Sequence, residues 1–384
     1  MRKGWEIKKL GEVCDIYNGG TPDTTVSKFW DGENLWITPK DMGKMLNIYV
    51  DDTLRKITDE GLKNSSAKIL PINSIILSSR APIGHLAINR KPTATNQGCK
   101  GLVPKKDISA LYIFYFLSKS VELLNDLGSG TTFKEISGSK LGTVEIPIPP
   151  LPEQQRIVSI LDEAFSSIEQ AKENLQRNLQ NAKELFQSEM NSIFTNKGEG
   201  WEEKTLGEVC DELFAGGDAP KENFSSEKTE FNNIPIYANA VKDEGLYGYT
   251  NYARVTKPSI SIAARGSGTG HTFLRQENYF PIVRLIVVIP NTKLIDLCFL
   301  KLAIDTLVIV RSGSAIPQLT IPMIKNYTIP FPSLKTQQKI VQQLDKLSVE
   351  TKRLESIYQQ KLVALEELKK SILQKAFSGE LSEN

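Results

Sequence analysis

A block of twelve residues near the N-terminus returns almost unchanged in the middle of the chain. Residues 4–15 read GWEIKKLGEVCD and residues 200–211 read GWEEKTLGEVCD, so that ten of twelve positions are identical. The offset between the copies, 196 at first, falls to 185 and then stays at 183 in later matches: 78–80 with 263–265, 128–131 with 311–314, 146–151 with 329–334 and 154–158 with 337–341. Such a period is far too long for a solenoid repeat. The sequence therefore predicts two homologous domains in tandem, the second shortened in its globular part.

Each copy ends in a tail whose apolar residues recur in alternating steps of four and three. They are Ile157, Leu161, Ala164, Ile168, Ala171, Leu175, Ala182 and Leu185, then Ile340, Leu344, Leu347, Leu354, Tyr358, Leu365, Leu368 and Ile372, with polar gaps at Asn178, Thr351 and Lys361. This phase is typical of a coiled coil. Because the proline-rich segments before the tails exclude helix, we expect the helices to begin near Pro152 and Lys335. They should end before Asn196 and near Ser378, each spanning about 42 residues or roughly 65 Å.

The globular part of each copy contains signals for both strands and helices. Residues 74–77 and 259–262 are short β-branched runs, and residues 111–124 and 297–308 have the amphipathic period of a helix. We predict an α+β fold with two homologous mixed α/β domains joined by two long helices. The predicted boundaries are 1–150 for the first head, 151–197 for the first long helix, 198–333 for the second head and 334–384 for the second long helix.

The connectivity constrains how the two helices pack. The first helix delivers the chain to the second head, so a second helix packed antiparallel on it buries both apolar stripes. The expected result is an antiparallel coiled coil with a head at each end, a dumbbell with pseudo-twofold symmetry. Tails that dimerise with other chains are the alternative.

The composition indicates a folded protein without a membrane segment. No run approaches 18 uninterrupted apolar residues, and no apolar signal region follows the N-terminus. The four cysteines lack metal-ligand spacing, and we expect Cys14 and Cys210 to be small core residues. These features predict a reduced, cytoplasmic protein.

Basic residues gather in corresponding parts of the two copies. Residues 61–106 carry eight basic residues and no acidic one, and residues 245–330 carry nine basic against three acidic. Residues 200–244, by contrast, carry eleven acidic against four basic. One such run is often only a solvated surface, whereas two matched runs favour a polyanionic partner.

The order of several short motifs, together with their duplication, resembles the specificity subunit of type I restriction-modification systems over essentially the whole chain. The motifs are GWEIKKLGEV at 4–13, WITPKD at 36–41, SSRAPIG at 78–84, TNQG at 95–98, GTTFK at 130–134 and IPIPPLPEQQRI at 146–157. In the second copy Pro152-Glu153 is replaced by Lys335-Thr336, and a Thr-Asn-Gln-Gly segment is absent.

This resemblance implies a non-catalytic DNA-binding subunit of a DNA adenine methyltransferase and restriction endonuclease. Each of two target-recognition domains would read one half of a split double-stranded DNA sequence. The helices would set the spacing and dock two methyltransferase subunits, and restriction subunits that translocate DNA would join the complex. No cofactor is expected in this chain, since S-adenosylmethionine, ATP and magnesium would belong to the partner subunits. No metal site and no catalytic residue are expected.

Candidate DNA-binding residues follow from side-chain chemistry and repeat position. Arginine and lysine bind phosphates and guanine, whereas amides and hydroxyls bind adenine or phosphate. Arg80 and Arg265 share a repeat position beside a turn, which makes them the strongest candidates. The full set is Arg80, Thr95, Asn96, Gln97, Lys100, Thr131, Thr132 and Lys134 in the first head, with Arg265, Ser267, Thr269, His271 and Thr272 in the second.

Two other classes of function stay open at this point. An enzyme is disfavoured because the chain has no phosphate-binding loop, no Asn/Asp-Pro-Pro-aromatic segment and only two histidines, His85 and His271, neither near a second ligand at metal spacing. A coiled-coil adaptor whose heads bind proteins is the remaining alternative. Salt-dependent DNA binding would separate it from a DNA reader.

Overall fold

The computed structural model of the protein describes residues 4–130, 134–266, 268–307 and 318–382. By their contacts these residues form two compact units, one within Met1–Leu175 and Gln360–Asn384 and the other within Gln176–Gln359. Each unit contains one globular head and part of each long helix. In the described ranges, no helix is both long and apolar enough to cross a membrane.

The first head has a five-stranded sheet of order β2-β9-β6-β7-β4, a three-stranded sheet of order β5-β3-β8 and the pair β1-β10. Its strands are β1 (Glu6–Lys9), β2 (Cys14–Asn18), β3 (Trp30–Ile37), β4 (Tyr49–Val50), β5 (Arg55–Ile57), β6 (Ile75–Ser79), β7 (Ile83–Asn89), β8 (Thr93–Thr95), β9 (Cys99–Pro104) and β10 (Glu145–Ile148). Its helices are α1 (Leu10–Val13), α2 (Pro39–Met42), α3 (Asp59–Lys63), α4 (Ala110–Lys119), α5 (Val121–Leu127) and α6 (Gly138–Gly142), and the long helix α7 (Leu151–Thr195) follows.

The second head has a four-stranded sheet of order β12-β18-β15-β16, a three-stranded sheet of order β14-β13-β17 and the pair β11-β19. Its strands are β11 (Glu202–Thr205), β12 (Cys210–Ala215), β13 (Ile234–Tyr237), β14 (Leu246–Thr250), β15 (Ser259–Ile262), β16 (Thr272–Arg275), β17 (Phe280–Pro281), β18 (Ile286–Pro290) and β19 (Thr328–Phe331). Its helices are α8 (Leu297–Thr306) and α9 (Ile321–Lys325), and the long helix α10 (Leu334–Ser378) follows.

The strand register repeats between the heads. Glu6 of β1 lies opposite Ile148 of β10, and Glu202 of β11 lies opposite Phe331 of β19. These pairs reproduce the offsets of 196 and 183 read from the sequence. The predicted duplication is therefore confirmed by the backbone, and in both heads the first and last strands close the head where a long helix begins.

The predicted internal helices are present with one correction. Residues 111–124 are not one helix but α4 and α5, which meet at Ser120. The Ser120 hydroxyl donates to the carbonyl of Phe116 at 2.8 Å, and hydroxyl bonds of this kind compete with the helix ladder. Tyr112 on α4 and Phe299 on α8 are fully buried in the two main cores.

The two long helices begin at Leu151 and Leu334, one residue before the predicted starts, and each has 45 residues rather than about 42. Within the first unit they run antiparallel, because Glu169 pairs with Lys369 at 3.8 Å and Lys172 with Glu366 at 2.8 Å. These exposed ion pairs add little stability. They serve here to show which residues of the two helices face each other.

Two residues of the predicted coiled-coil seam, Leu185 and Leu368, are instead exposed. In the second unit α7 also packs on the core of the second head, through the partly buried Phe186 and the buried Met190 and Phe194. It still contacts α10 there, because Gln343 Nε2 donates to Glu189 Oε1 at 3.1 Å.

A buried glutamine joins each head to the long helix that leaves it. The Gln154 amide accepts from the N–H of Ser109 at 2.9 Å and donates to the carbonyl of Pro149 at 2.9 Å. Gln337 makes the same bonds to Asp296 and Pro332, both at 2.8 Å. Each amide thereby ties the first turn of its long helix to the start of α4 or α8. We conclude that the orientation of each long helix relative to its own head is fixed by equivalent contacts.

Candidate nucleic-acid interface

Arg80 and Arg265 occupy the same place in the two heads. Arg80 follows β6 and forms an isolated antiparallel bridge with Glu135, and Arg265 follows β15 and forms the same bridge with Gln318. In both heads the N–H of the residue after the bridge partner donates to the carbonyl of the residue before the arginine, at 3.0 Å in the first head and 2.8 Å in the second. The predicted equivalence of the two arginines is confirmed.

Three segments meet around Arg80 to form the first candidate interface: the end of β6, the loop 96–98 and the start of α2. A Cβ on Gly98 would lie 3.1 Å from Pro39 and 3.3 Å from Arg80 Nε, so all three segments are in contact here. Helix α2 is held by a capping box, in which the N–H of Thr38 donates to Asp41 Oδ2 at 3.0 Å and the N–H of Asp41 donates to Thr38 Oγ1 at 3.3 Å. Lys40 at this helix is exposed. The arrangement presents a cation, an amide loop and a helix start on one surface.

The predicted residues of the first head fall into two groups. Gln97 and Lys134 are exposed, and Asn96 is half-buried, with its Oδ1 accepting from the N–H of Gly98 at 2.8 Å. Thr95 and Lys100 are buried. Their burial is suited to supporting the loop from beneath, and their direct contact with DNA stays a prediction. Thr131 and Thr132 lie outside the described residues.

The second candidate interface is built from the equivalent three segments: Arg265, the loop 282–284 and the segment 239–245. Asn239 connects them, because its Oδ1 accepts from the N–H of Ala264 at 2.7 Å and its Nδ2 donates to the carbonyl of Val283. Loop 282–284 occupies the position of loop 96–98: the N–H of Ile282 donates to Tyr237 O at 2.9 Å, as that of Asn96 donates to Ile37 O at 3.0 Å.

Arg284, on the loop 282–284, was missed by sequence reasoning. It is exposed and has a positive φ of 61°. This loop shares no motif with Thr-Asn-Gln-Gly, so only the strand pairing reveals the correspondence. Arg284 therefore adds a second cation to the interface beside Arg265.

Three other predicted residues of the second head, Thr269, His271 and Thr272, line a cavity that borders α7. Thr269 is buried, and its hydroxyl donates to the carbonyl of Gly266 at 2.7 Å. The cavity has a volume of about 490 Å³, and the Thr272 hydroxyl donates there to Asp305. Direct DNA contacts by Thr269, His271 and Thr272 stay predictions. Ser267 lies outside the described residues.

Comparison with known proteins decides the family. The family model for the type I restriction modification DNA specificity domain matches residues 2–177 and again residues 198–363. The chain belongs to this family and contains its domain twice. It is 30% identical to the type I restriction enzyme MjaIX specificity subunit of Methanocaldococcus jannaschii, over 99% of this chain and 94% of that one. It is 33% identical to the EcoR124I/EcoR124II specificity subunit of Escherichia coli, over 50% of this chain and 48% of that one.

Solved structures show the same fold. A chain from a study of complex assembly and conformational transition in the type I R-M system matches with a TM-score of 0.79 at 20% identity, covering 99% of both chains. The HsdS subunit of Thermoanaerobacter tengcongensis matches with a TM-score of 0.67 at 17% identity, covering 99% of this chain and 98% of that one. The predicted α+β fold with two homologous domains and two long helices is therefore confirmed.

The two specificity domains differ in the charges behind their equivalent arginines. In the first domain Glu135 pairs with the buried Lys100 at 3.2 Å and with Arg80 at 3.7 Å. In the second, Ile286 and Gln318 stand at the positions of Lys100 and Glu135, as the pairing of β9 and β18 with their central strands shows. The lysine and its carboxylate are thus replaced together by an uncharged pair. We infer that Lys100 serves mainly to hold Glu135 beneath Arg80.

This inference predicts a double-mutant cycle. Glu135→Gln should lower the free energy of unfolding by about 1–3 kcal/mol, because it leaves the Lys100 ammonium buried without its carboxylate, discounted for the partial exposure of Glu135. Lys100→Ile should cost less, since Glu135 keeps Arg80. The double variant, which copies the second domain, should be more stable than Glu135→Gln alone. Urea unfolding of the four proteins measures this coupling, and strictly additive effects would contradict the pairing.

Two pairs of glycines are also repeated between the domains. Gly19 and Gly216 open equivalent glycine pairs that pack on the interface loops, and a Cβ on either would lie under 3 Å from the backbone of that loop. Gly84 and Gly270 have φ of 114° and 96° and each precedes a histidine, His85 or His271. Glycine is needed at the latter two positions because other residues rarely adopt such angles. The duplication of the backbone therefore extends to these glycine positions.

The cysteine thiols in and near the cores have low reactivity. Burial raises the pKa of Cys14, Cys99 and Cys210 to about 12 in each case, so all three are neutral thiols at physiological pH. Cys14 lies in the main core of the first domain, as predicted, and Cys210 packs at the edge of the core in the second. No group of three histidine, cysteine or acidic side chains positioned to hold a metal occurs among the described residues.

Proposed function

We propose that this protein is the DNA sequence-recognition subunit of a type I restriction-modification complex and that it has no catalytic role of its own. Each specificity domain reads one half of a bipartite target through the interface around Arg80 or Arg265. The long helices set the distance between the half-sites. One observation carries the proposal: the same three-segment framework occurs twice in the chain, with different side chains on each copy.

Sequence recognition requires a constant frame that presents variable side chains. The bridges of Arg80 and Arg265 supply the constant part, and a cation at this position can contact phosphate or guanine. The loops 96–98 and 282–284 supply the variable part, with Gln97 in one domain and Arg284 in the other. A glutamine amide pairs well with adenine and an arginine with guanine, so unlike half-sites are expected.

The partners follow from the same proposal. Two methyltransferase subunits dock on the paired helices, and restriction subunits join through the assembled complex. S-adenosylmethionine, ATP and magnesium would be bound by those subunits and not by this chain. The complex would act on DNA in the cytoplasm.

The proposal predicts that Arg80→Ala and Arg265→Ala each weaken binding to one half-site. A contact with a base edge would cost about 1–3 kcal/mol on the full site. A phosphate contact would instead weaken all sequences alike and flatten the salt dependence by about one unit. Fluorescence titration of the assembled methyltransferase on specific and scrambled duplexes, at several salt concentrations, distinguishes the two.

Arg90→Ala is the matched control. Arg90 follows β7 at the end opposite Arg80, is exposed, and stacks on Tyr49 at 3.8 Å from the ring centre. Its removal should leave both affinity and salt dependence unchanged. If the Arg80 and Arg265 variants also bind DNA unchanged, these arginines do not contact DNA. The main support for the two candidate interfaces would then be lost.

A further inference from the structure

Arg275 of the second specificity domain is a charged side chain in the protein interior. Its side chain is only 2% exposed, and its Nε donates to Ser261 Oγ at 3.0 Å. The guanidinium lies 3.5 Å from the centre of the Tyr237 ring, a favourable cation–π distance. Burial lowers the pKa of Arg275, yet arginine titrates so far above neutrality that it stays charged. A buried cation is costly unless it is well paired, so the partners of Arg275 define its role.

The remaining donors of Arg275 hold a strained turn. Its Nη1 lies 3.1 Å from Glu244 Oε2, and its Nη2 donates to the carbonyl of Glu244. Asp243 and Glu244 have φ of 49° and 51°, a left-handed conformation that is unfavourable for residues other than glycine. Two such residues in succession persist only when other contacts over-determine them. Arg275 supplies those contacts from beneath the turn.

The strained turn belongs to the candidate interface. It is the tip of the segment 239–245, and it exposes Lys242 and Asp243. A lysine ammonium can donate to guanine, and an aspartate carboxylate can accept from cytosine. A Cβ on Gly268 would lie 2.6 Å from Val241, so the same segment also packs on the loop after β15. Arg275 therefore supports the part of the second interface that carries base-type donors and acceptors.

The first domain has a different residue, with different contacts, at the position of Arg275. Strand pairing puts Asn89 of β7 at the position of Arg275 of β16. Asn89 bonds to the backbone of Ser74, Pro71 and Lys91 and not to the first interface. There the equivalent segment is helix α2, which carries its own capping box. The buried arginine is thus a feature of the second domain.

We propose that Arg275 is a positioning residue that determines the base preference of the second half-site by holding segment 239–245 in one conformation. This inference rests on the proposed function. Arg275 does not touch DNA itself, because its guanidinium is enclosed by Tyr237, Ser261 and Glu244. Its effect reaches DNA through Lys242 and Asp243.

The test uses the full chain assembled with its methyltransferase subunits and a pool of random-sequence duplexes from which bound molecules are sequenced. Arg275→Met removes the charge and every hydrogen bond at similar volume. Arg275→Lys keeps the charge but loses the forked geometry. A third variant, Glu244→Gly, removes the carboxylate paired with Arg275 and gives the turn backbone more freedom, while Lys242, Asp243 and Arg275 stay intact. Lys257→Met, which removes an exposed charge paired with Glu212, is the control.

In Arg275→Met we expect discrimination at the second half-site to fall about 5- to 150-fold per affected base, while the first half-site keeps its preference. The lysine variant should lie between this and the unchanged protein, and the Glu244→Gly variant should relax the same positions. Folded variants with unchanged preference at the second half-site, or with equal losses in both half-sites, would overturn the proposal. If Arg275→Met does not fold, the Glu244→Gly variant decides. No enrichment by the unchanged protein would instead count against the proposed function.

Discussion

Deleting residues 169–175 together with residues 363–369 is expected to shorten the spacer of the recognised DNA by whole base pairs while both half-sites stay the same. The deletion removes one heptad, about 10 Å, from each helix. At 3.4 Å per base pair this corresponds to about three base pairs. Affinity for the original target should fall toward the non-specific level, a loss on the order of a thousandfold or more, because the two half-sites can no longer be engaged together.

The choice of segments follows from the packing within the first unit. Glu169 faces Lys369 and Lys172 faces Glu366, so the two deletions remove material at the same level of the antiparallel pair. Whole heptads preserve the phase of the apolar stripe on either side. Sequencing of duplexes selected from a random pool measures the new spacer.

A variant with Glu169→Ala and Lys172→Ala removes the same ion pairs without changing length, and it should keep the original spacer. If the deletion variant folds and also selects the original spacer, the long helices do not set the distance between the half-sites.

Exchanging residues 16–145 for the corresponding part of a relative with another target should replace one half of the recognised sequence and leave the other intact. The exchange keeps β1, all of β10 except Glu145, and both long helices, so most of the strand pair that closes the head and the Gln154 bond to Pro149 are retained. Binding to the original full target should drop on the order of a thousandfold, since one complete half-site is lost. Methylation mapping by the assembled enzyme reads out both halves.

The reciprocal exchange of residues 212–328 provides the control. It should alter the opposite half of the target and leave the first half unchanged. A change in both halves from either exchange would mean that the two domains do not read DNA independently.

The sequence predicted the large features well because they depend on repetition and periodicity. The heptad phase and the preceding prolines located the starts of both long helices to within one residue, at Leu151 and Leu334. The duplicated motifs identified Arg80 and Arg265 as equivalent, and their backbone bridges confirm it. Patterns of this kind involve many residues, so a single substitution does not erase them.

The environments of several individual residues could not be predicted, because they depend on tertiary contacts that leave no pattern in the local sequence. Lys100 lies in a stretch of sequence without acidic residues, which predicts an exposed lysine. Its burial depends on an ion pair with Glu135, which is 35 residues away in the sequence. Leu185 continues the heptad phase yet is exposed, whereas the neighbouring Phe186 is partly buried against the second head. Arg284 carries no motif, and only strand pairing places it in the interface.

Sequencing of the DNA that the chain selects, when assembled with its methyltransferase subunits, from a pool of random duplexes tests the central claim most directly. Two specific blocks separated by a non-specific gap of constant length are the expected result, since two domains on one pair of helices would each read a half-site. A single continuous block, or no enrichment at any salt concentration, would contradict the assignment of this chain as a reader of bipartite DNA sequences.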